Sequence, residues 1–181
     1  MKTQSKFSTK DLVYIAIFAA LLAICSWIFI NAVVPFTLQT FGVFLTCGLL
    51  GGRRGTLTIL LYLLMAAVGI PVLAGFSGGL GILLGVTGGY IIGFLFAALL
   101  MWGIERLFGD RLWLLGVSMV LGMILCYFFG TAWFMVVYTQ SEGPVGVLGA
   151  LSWCVFPFLI PDAVKIALAL VLTARLRRYV K

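Results

Sequence analysis

The chain has 181 residues, of which 64% are hydrophobic and 9% charged, with a net charge of +7. That balance excludes an ordinary soluble domain, and the absence of histidine removes the commonest general base and metal ligand. The bases cluster at the ends of apolar segments, so positive-inside membrane topology accounts for the charge better than nucleic-acid binding does.

The pattern predicts an all-α membrane protein of one domain, with six transmembrane helices at about 11–30, 40–51, 55–70, 82–106, 111–138 and 147–174. Met1–Lys10 is a basic leader. The apolar run behind it is long enough to span and lacks a small-residue cleavage site, so it reads as a retained first helix. Ser8 or Thr9 is placed to cap that helix, with Asp11 in its first turn. Ala16/Ala20 and Ala19/Ala23 are small-xxx-small pairs, a spacing that lets another helix approach closely. Ordinary packing within the chain is the alternative.

Asn31–Gln39 reads as an uncharged loop. The second and third helices, 40–51 and 55–70, reach only roughly 17–22 Å, short of a hydrocarbon core about 30 Å thick. Between them Gly51-Gly52-Arg53-Arg54-Gly55 makes a tight, basic turn on the cytoplasmic side. Non-helical backbone at membrane depth is tolerated only where protein buries it or it lines a cavity. The short helices therefore predict an outward-facing cavity, roofed by Asn31–Gln39 and by Pro71–Gly81. The latter carries several glycines, Phe76 and no charge. Gly85-Val86-Thr87-Gly88-Gly89-Tyr90 is no phosphate loop, since no Gly-Lys-Ser/Thr follows it. It begins or interrupts the fourth helix, and Tyr90 brings a hydroxyl into an apolar stretch. The aromatics of the fifth helix read as packing. Pro157 and Pro161 are expected to interrupt the sixth. The four cysteines, Cys25, Cys47, Cys126 and Cys154, read as small buried apolar residues.

Asp162 and Lys165 stand one helical turn apart inside this last apolar segment. Ten residues separate Lys165 from Arg175, which puts its Cα about 15 Å below the membrane surface that the arginines mark. A charge there costs roughly 2.5–3.5 kcal/mol, so such residues usually face the protein interior and serve a function. At i, i+3 the two share a face and can neutralise each other. A purely structural ion pair is the alternative. Six crossings place both termini on one side, together with every lysine and arginine except Lys165; that side is the cytoplasm. Without histidine, metal-ligand clusters or paired carboxylates, the chain is not expected to be an enzyme. The acid–base pair instead offers an acceptor and several donors to a small polar ring carrying N–H and C=O groups.

Val34-Pro35-Phe36-Thr37-Leu38-Gln39-Thr40-Phe41-Gly42, Gly51-Gly52-Arg53-Arg54-Gly55, the Gly69-Ile70-Pro71-Val72 turn with its glycine loop, Thr87-Gly88-Gly89-Tyr90 and Pro161-Asp162-Ala163-Val164-Lys165 together resemble the BioY family. Members of that family are biotin-binding S components of energy-coupling factor transporters. The likeness covers nearly the whole chain. It departs at Gly85-Val86-Thr87, where Gly-Pro-Thr is expected, a change that should affect only how the fourth helix begins. The resemblance implies a six-helix S-component bundle in the cell membrane of a prokaryote, capturing biotin from outside. The implied partners are membrane lipid, a transmembrane coupling subunit and two cytoplasmic ATPase subunits, with no cofactor of the chain's own and ATP used only by those partners. It also implies that Ala16, Ala19, Ala20 and Ala23 dock on the coupling subunit. Asp162 would accept from a ureido N–H and Lys165 donate to the ureido carbonyl. Thr37, Gln39, Ser77 and Tyr90, with Phe76 and Gly79 of the roof, are the further candidate contacts. A reversed pose with Lys165 on the tail carboxylate, a different small vitamin, and a stand-alone facilitator or channel remain as alternatives.

Overall fold

A computed structural model describes residues 8–31 and 34–180. Most of the basic leader, including Lys2 and Lys6, part of the 31–39 loop, and Lys181 lie outside the described residues. In chain order the elements are α1 (Thr9–Trp27), β1 (Phe29–Ile30), β2 (Phe36–Thr37), α2 (Gln39–Leu50), α3 (Gly52–Ala67), a 3-10 turn (Ala74–Phe76), α4 (Leu80–Leu83), α5 (Gly88–Phe108), α6 (Leu112–Ser141), α7 (Val147–Cys154), a second 3-10 turn (Phe156–Phe158) and α8 (Leu159–Val180). Among the described residues, four helical segments are long and apolar enough to cross a membrane: α1, α5, α6, and Val147–Val180 taken across its break. At 12 and 16 residues, α2 and α3 reach roughly 18 and 24 Å.

α2 occupies the middle. It packs against α1, α3, α5 and α8, and every residue of it except Phe41 is buried. A helix that is apolar all round belongs in such a place. The glycines around its end have specific reasons to be glycine. Gly51 has φ +79°, and a Cβ on Gly52 would lie 2.4 Å from the Trp102 Cα of α5. A Cβ on Gly55 would lie 2.8 Å from the Cys47 Cα. The α2–α3 turn thus closes only because three side chains are missing.

Polar contacts gather the charged chain ends at one end of the bundle. Arg54 of α3 pairs with Asp11 of α1 at 3.0 Å. The Glu105 carboxylate of α5 accepts from the Gly52 N–H, at the start of α3, where a helix leaves N–H groups unpaired. Arg177 of α8 pairs with Asp110 in the α5–α6 turn.

Several expected boundaries move, and three of the changes shape the site. The first helix stops at Trp27 rather than residue 30, because Phe29–Ile30 pairs antiparallel with Phe36–Thr37. Aromatic and β-branched residues suit a strand better than a helix end. The fourth helix does not run unbroken from residue 82. α4 is a single turn, the chain bends at Gly85, and α5 starts at Gly88, where a Cβ would meet the Leu83 carbonyl oxygen at 1.8 Å. The last helix breaks at Val155–Phe158, and Pro161 lies within the first turn of α8. Its missing N–H costs nothing there, so Pro157 alone sits in the interruption.

A buried ion pair facing a cavity

The first turn of α8 carries Asp162, and its next turn carries Lys165. The two are 3% and 5% exposed. Lys165 Nζ donates to Asp162 Oδ1 at 2.8 Å and to the Thr37 main-chain carbonyl at 2.7 Å. It also lies 4.1 Å from the centroid of the Phe36 ring, within cation–π range. The β1–β2 hairpin is what brings Thr37 and Phe36 over α8. Tyr127 of α6 donates its hydroxyl proton to Asp162 Oδ2 at 2.6 Å. Each carboxylate oxygen therefore has one protein donor.

This pair forms part of the wall of a cavity of about 220 Å³. The hairpin side contributes Val34, Pro35, Thr37, Gln39 and Thr40, and the 68–79 loop contributes Leu73, Ala74 and Ser77. Tyr90, Ile91 and Phe94 come from α5, Met123, Cys126 and Tyr127 from α6, Cys154 from the end of α7, and Phe158 from the break before α8. The walls are mainly apolar with a few convergent polar groups, the usual make-up of a small-molecule site. Among the described residues no cluster of His, Cys, Asp or Glu could hold a metal ion.

The polar groups are braced from outside. Gln39 Nε2 donates to the Tyr62 hydroxyl at 2.9 Å, and that hydroxyl donates to the Val72 carbonyl at 2.8 Å. One chain of bonds thus links α2, α3 and the roof loop. Thr37 Oγ1 accepts from the Gln39 N–H at 3.1 Å at the start of α2. The Tyr90 and Thr131 hydroxyls pair at 2.9 Å between α5 and α6. Gly130 makes room for the Tyr90 ring, since a Cβ there would fall 2.2 Å from Tyr90 Cδ1. In the loop, Ser77 Oγ donates to the Ala74 carbonyl at 2.7 Å, and the Gly79 N–H donates to the Ala66 carbonyl.

Of the expected site residues, Asp162, Lys165, Thr37, Gln39, Ser77 and Tyr90 line this one cavity. Phe76 and Gly79 do not. Phe76 is 63% exposed and stacks on Trp27 with ring centroids 4.9 Å apart, on the outer surface of the loop. Gly79, with φ +101°, turns the chain into α4 and contributes backbone geometry rather than wall. The alanines also divide. Ala16 and Ala20 are exposed, whereas Ala19 (1%) and Ala23 (4%) are buried within the chain. A helix face only a few residues wide cannot present both pairs outward, so an outer surface built from α1 has Ala16 and Ala20 alone.

Sequence reasoning missed Tyr127, Thr131 and Phe36. The first two were hidden among aromatics taken as packing. Their signal is a pair of hydroxyls at i, i+4 on one face of the apolar middle of α6, between Ser118 and Tyr138.

Comparison with known proteins settles the family. The BioY family model matches residues 1–181. The chain belongs to the BioY family. A probable biotin transporter BioY of Pyrococcus horikoshii is 38% identical, over 93% of this chain and 96% of its own length. The biotin transporter BioY of Thermotoga maritima is 35% identical with the same shares covered. The crystal structure of the S-component for biotin from an ECF-type ABC transporter superposes with a TM-score of 0.80 at 30% identity. That match covers 96% of this chain and 95% of the other, so the BioY bundle described here is the S-component fold throughout.

Proposed function

We propose that this chain captures biotin as the S component of an energy-coupling factor transporter. The observation that carries the reading is the unspent hydrogen-bonding capacity of the buried pair. An ionised carboxylate can accept about four hydrogen bonds and an ammonium can donate three. Asp162 accepts two from the protein and Lys165 donates two. The pair therefore keeps lone pairs and one N–H for a guest beside the cavity. A ureido ring, with N–H groups flanking a carbonyl, matches that remainder. Its N–H donates to Asp162 and its carbonyl accepts from Lys165. The thioether ring fits the apolar wall of Ile91, Phe94, Met123 and Phe158. The tail carboxylate points toward the loop mouth near Ser77. Gln39 and Tyr90 supply further polar contacts. The relatives named above, described as biotin transporters, support the same ligand.

The chain works as a multi-pass protein of a prokaryotic cell membrane, with six crossings and both ends in the cytoplasm. The basic end of the bundle, marked by Arg53, Arg54, Arg106, Arg111, Arg175, Arg177 and Arg178, faces inward under the positive-inside rule. The cavity mouth between the hairpin and the 68–79 loop then faces out. The chain has no motor and no cofactor of its own. A transmembrane coupling subunit and two ATPase subunits drive uptake, with Ala16 and Ala20 on the docking face.

Labelled biotin added to the purified protein tests the reading. Wild type should bind saturably, and Asp162→Asn and Lys165→Ala should each weaken binding at least tenfold, the loss of about one charged hydrogen bond. Wild-type protein that ignores biotin refutes it. An analogue lacking the tail charge separates the two poses, since only the reversed one loses Lys165-dependent affinity with it. Co-purification of an ATPase pair distinguishes the S component from a stand-alone facilitator.

A further inference from the structure

We infer that Tyr127 is a positioning and specificity residue that makes the Asp162 end of the cavity accept hydrogen bonds and never donate them. The inference rests on the ureido reading above and adds to it the device that selects for N–H groups.

A lone aspartate swings easily, because its terminal torsion is broad and twofold. Here both oxygens are tethered from different directions. Lys165, on the same helix, holds Oδ1 at 2.8 Å, while Tyr127, on α6, holds Oδ2 at 2.6 Å. The carboxylate plane is thereby fixed relative to the cavity. The donor inventory follows from the same two bonds. A tyrosine hydroxyl has one proton, and Tyr127 spends it on Oδ2. What Tyr127 and Asp162 show the cavity is then lone pairs alone. The donor left to the pair is the third N–H of Lys165, on the opposite side of Asp162. A guest carbonyl or ether presented at the Tyr127 side meets lone pairs facing lone pairs, and a guest N–H is welcomed. The register of α6 is itself pinned one turn along, where Thr131 pairs with Tyr90 of α5 at 2.9 Å. Tyr127 is only partly buried and borders the cavity, so its hydroxyl stands beside the guest rather than behind the wall.

Biotin dissociation constants for wild type, Tyr127→Phe, Asp162→Asn and the double variant test this. Phenylalanine keeps the ring and its packing. Tyr127→Phe should weaken binding about tenfold in the wild-type background, and by less than about twofold when Asp162 is already asparagine, because the bond being removed is to the carboxylate. An equal loss in both backgrounds, or no loss at all, overturns the inference. A second measurement uses no ligand. The carboxylate infrared band that disappears in Asp162→Asn should shift in Tyr127→Phe, and a band that stays in place overturns the assignment even where Asp162→Asn binds too weakly to titrate. Wild-type protein that fails to bind biotin sinks the ureido reading instead, and the infrared result still decides whether Tyr127 holds Asp162.

Discussion

Replacing Lys165 with methionine keeps most of the stem and removes the ammonium. In the intact protein Nζ satisfies Asp162 Oδ1 at 2.8 Å and the Thr37 carbonyl at 2.7 Å, and lies 4.1 Å from the Phe36 ring centroid. The variant keeps a carboxylate only 3% exposed and strips it of its countercharge. Breaking one side of a buried pair typically destabilises by about 3–5 kcal/mol. For a chain of this size each kcal/mol lowers the melting temperature by roughly 2–4 °C, so a fall of roughly 6–20 °C is expected. The cavity also loses the N–H donors that would meet a ureido carbonyl. Tryptophan fluorescence during thermal unfolding in detergent, with and without biotin, reads both effects. The ligand-induced rise in melting temperature should vanish. A double variant, Asp162→Leu with Lys165→Met, should melt above the single one, because no unpaired charge remains. If the single variant melts within about 2 °C of wild type, or the double melts lower still, the pair is not the buried and mutually dependent unit described here.

Further predictions concern the bracing. Gly130→Ala would put a Cβ 2.2 Å from the Tyr90 ring; overpacking of that kind costs about 1–3 kcal/mol, and both melting temperature and biotin affinity should drop. Wild-type affinity would show that the Tyr90–Thr131 pair does not shape the cavity. Tyr62→Phe removes the hydroxyl that joins Gln39 to the Val72 carbonyl. The buried groups left unpaired cost about 1–3 kcal/mol, and the 68–79 loop should be cut faster in limited proteolysis; an unchanged cutting rate counts against the brace. Trp27→Phe keeps the stack on Phe76 but loses the indole bond to the Pro71 carbonyl at 2.9 Å. An exposed bond of this kind contributes about 1 kcal/mol or less, so stability should barely move while biotin dissociates faster. Unaltered dissociation would mean that α1 does not hold the loop.

The last helix stands out in the sequence because charge in an apolar segment is costly wherever the chain goes, and Asp162 and Lys165 are the only charged residues between Glu142 and Arg175. The shortness of α2 and α3 was equally legible, and with it the need for loops to fill the remaining depth. The internal form of those loops was not. Nothing in Phe29–Ile30 and Phe36–Thr37 announces a two-residue ladder, since short apolar runs read alike as strand or helix end. Tyr127 was obscured for a different reason. A tyrosine beside Phe128 and Phe129 has the composition of packing, and only the fold sets its hydroxyl against Asp162. The four alanines of α1 were visible as a spacing, but which pair turns outward depends on where α2 and α3 lie.

The lysine's second anchor is an oxygen of the main chain. Substituting the Thr37 side chain leaves that oxygen in place, so scanning mutagenesis would pass over one of the two groups that hold the ammonium. Exposing its contribution calls for an edit to the backbone itself, such as an ester linkage or a shift of the hairpin by one residue. The Thr37 hydroxyl has a separate task, accepting from the Gln39 N–H, whereas any insertion or deletion between the hairpin and α2 moves the anchor off its target.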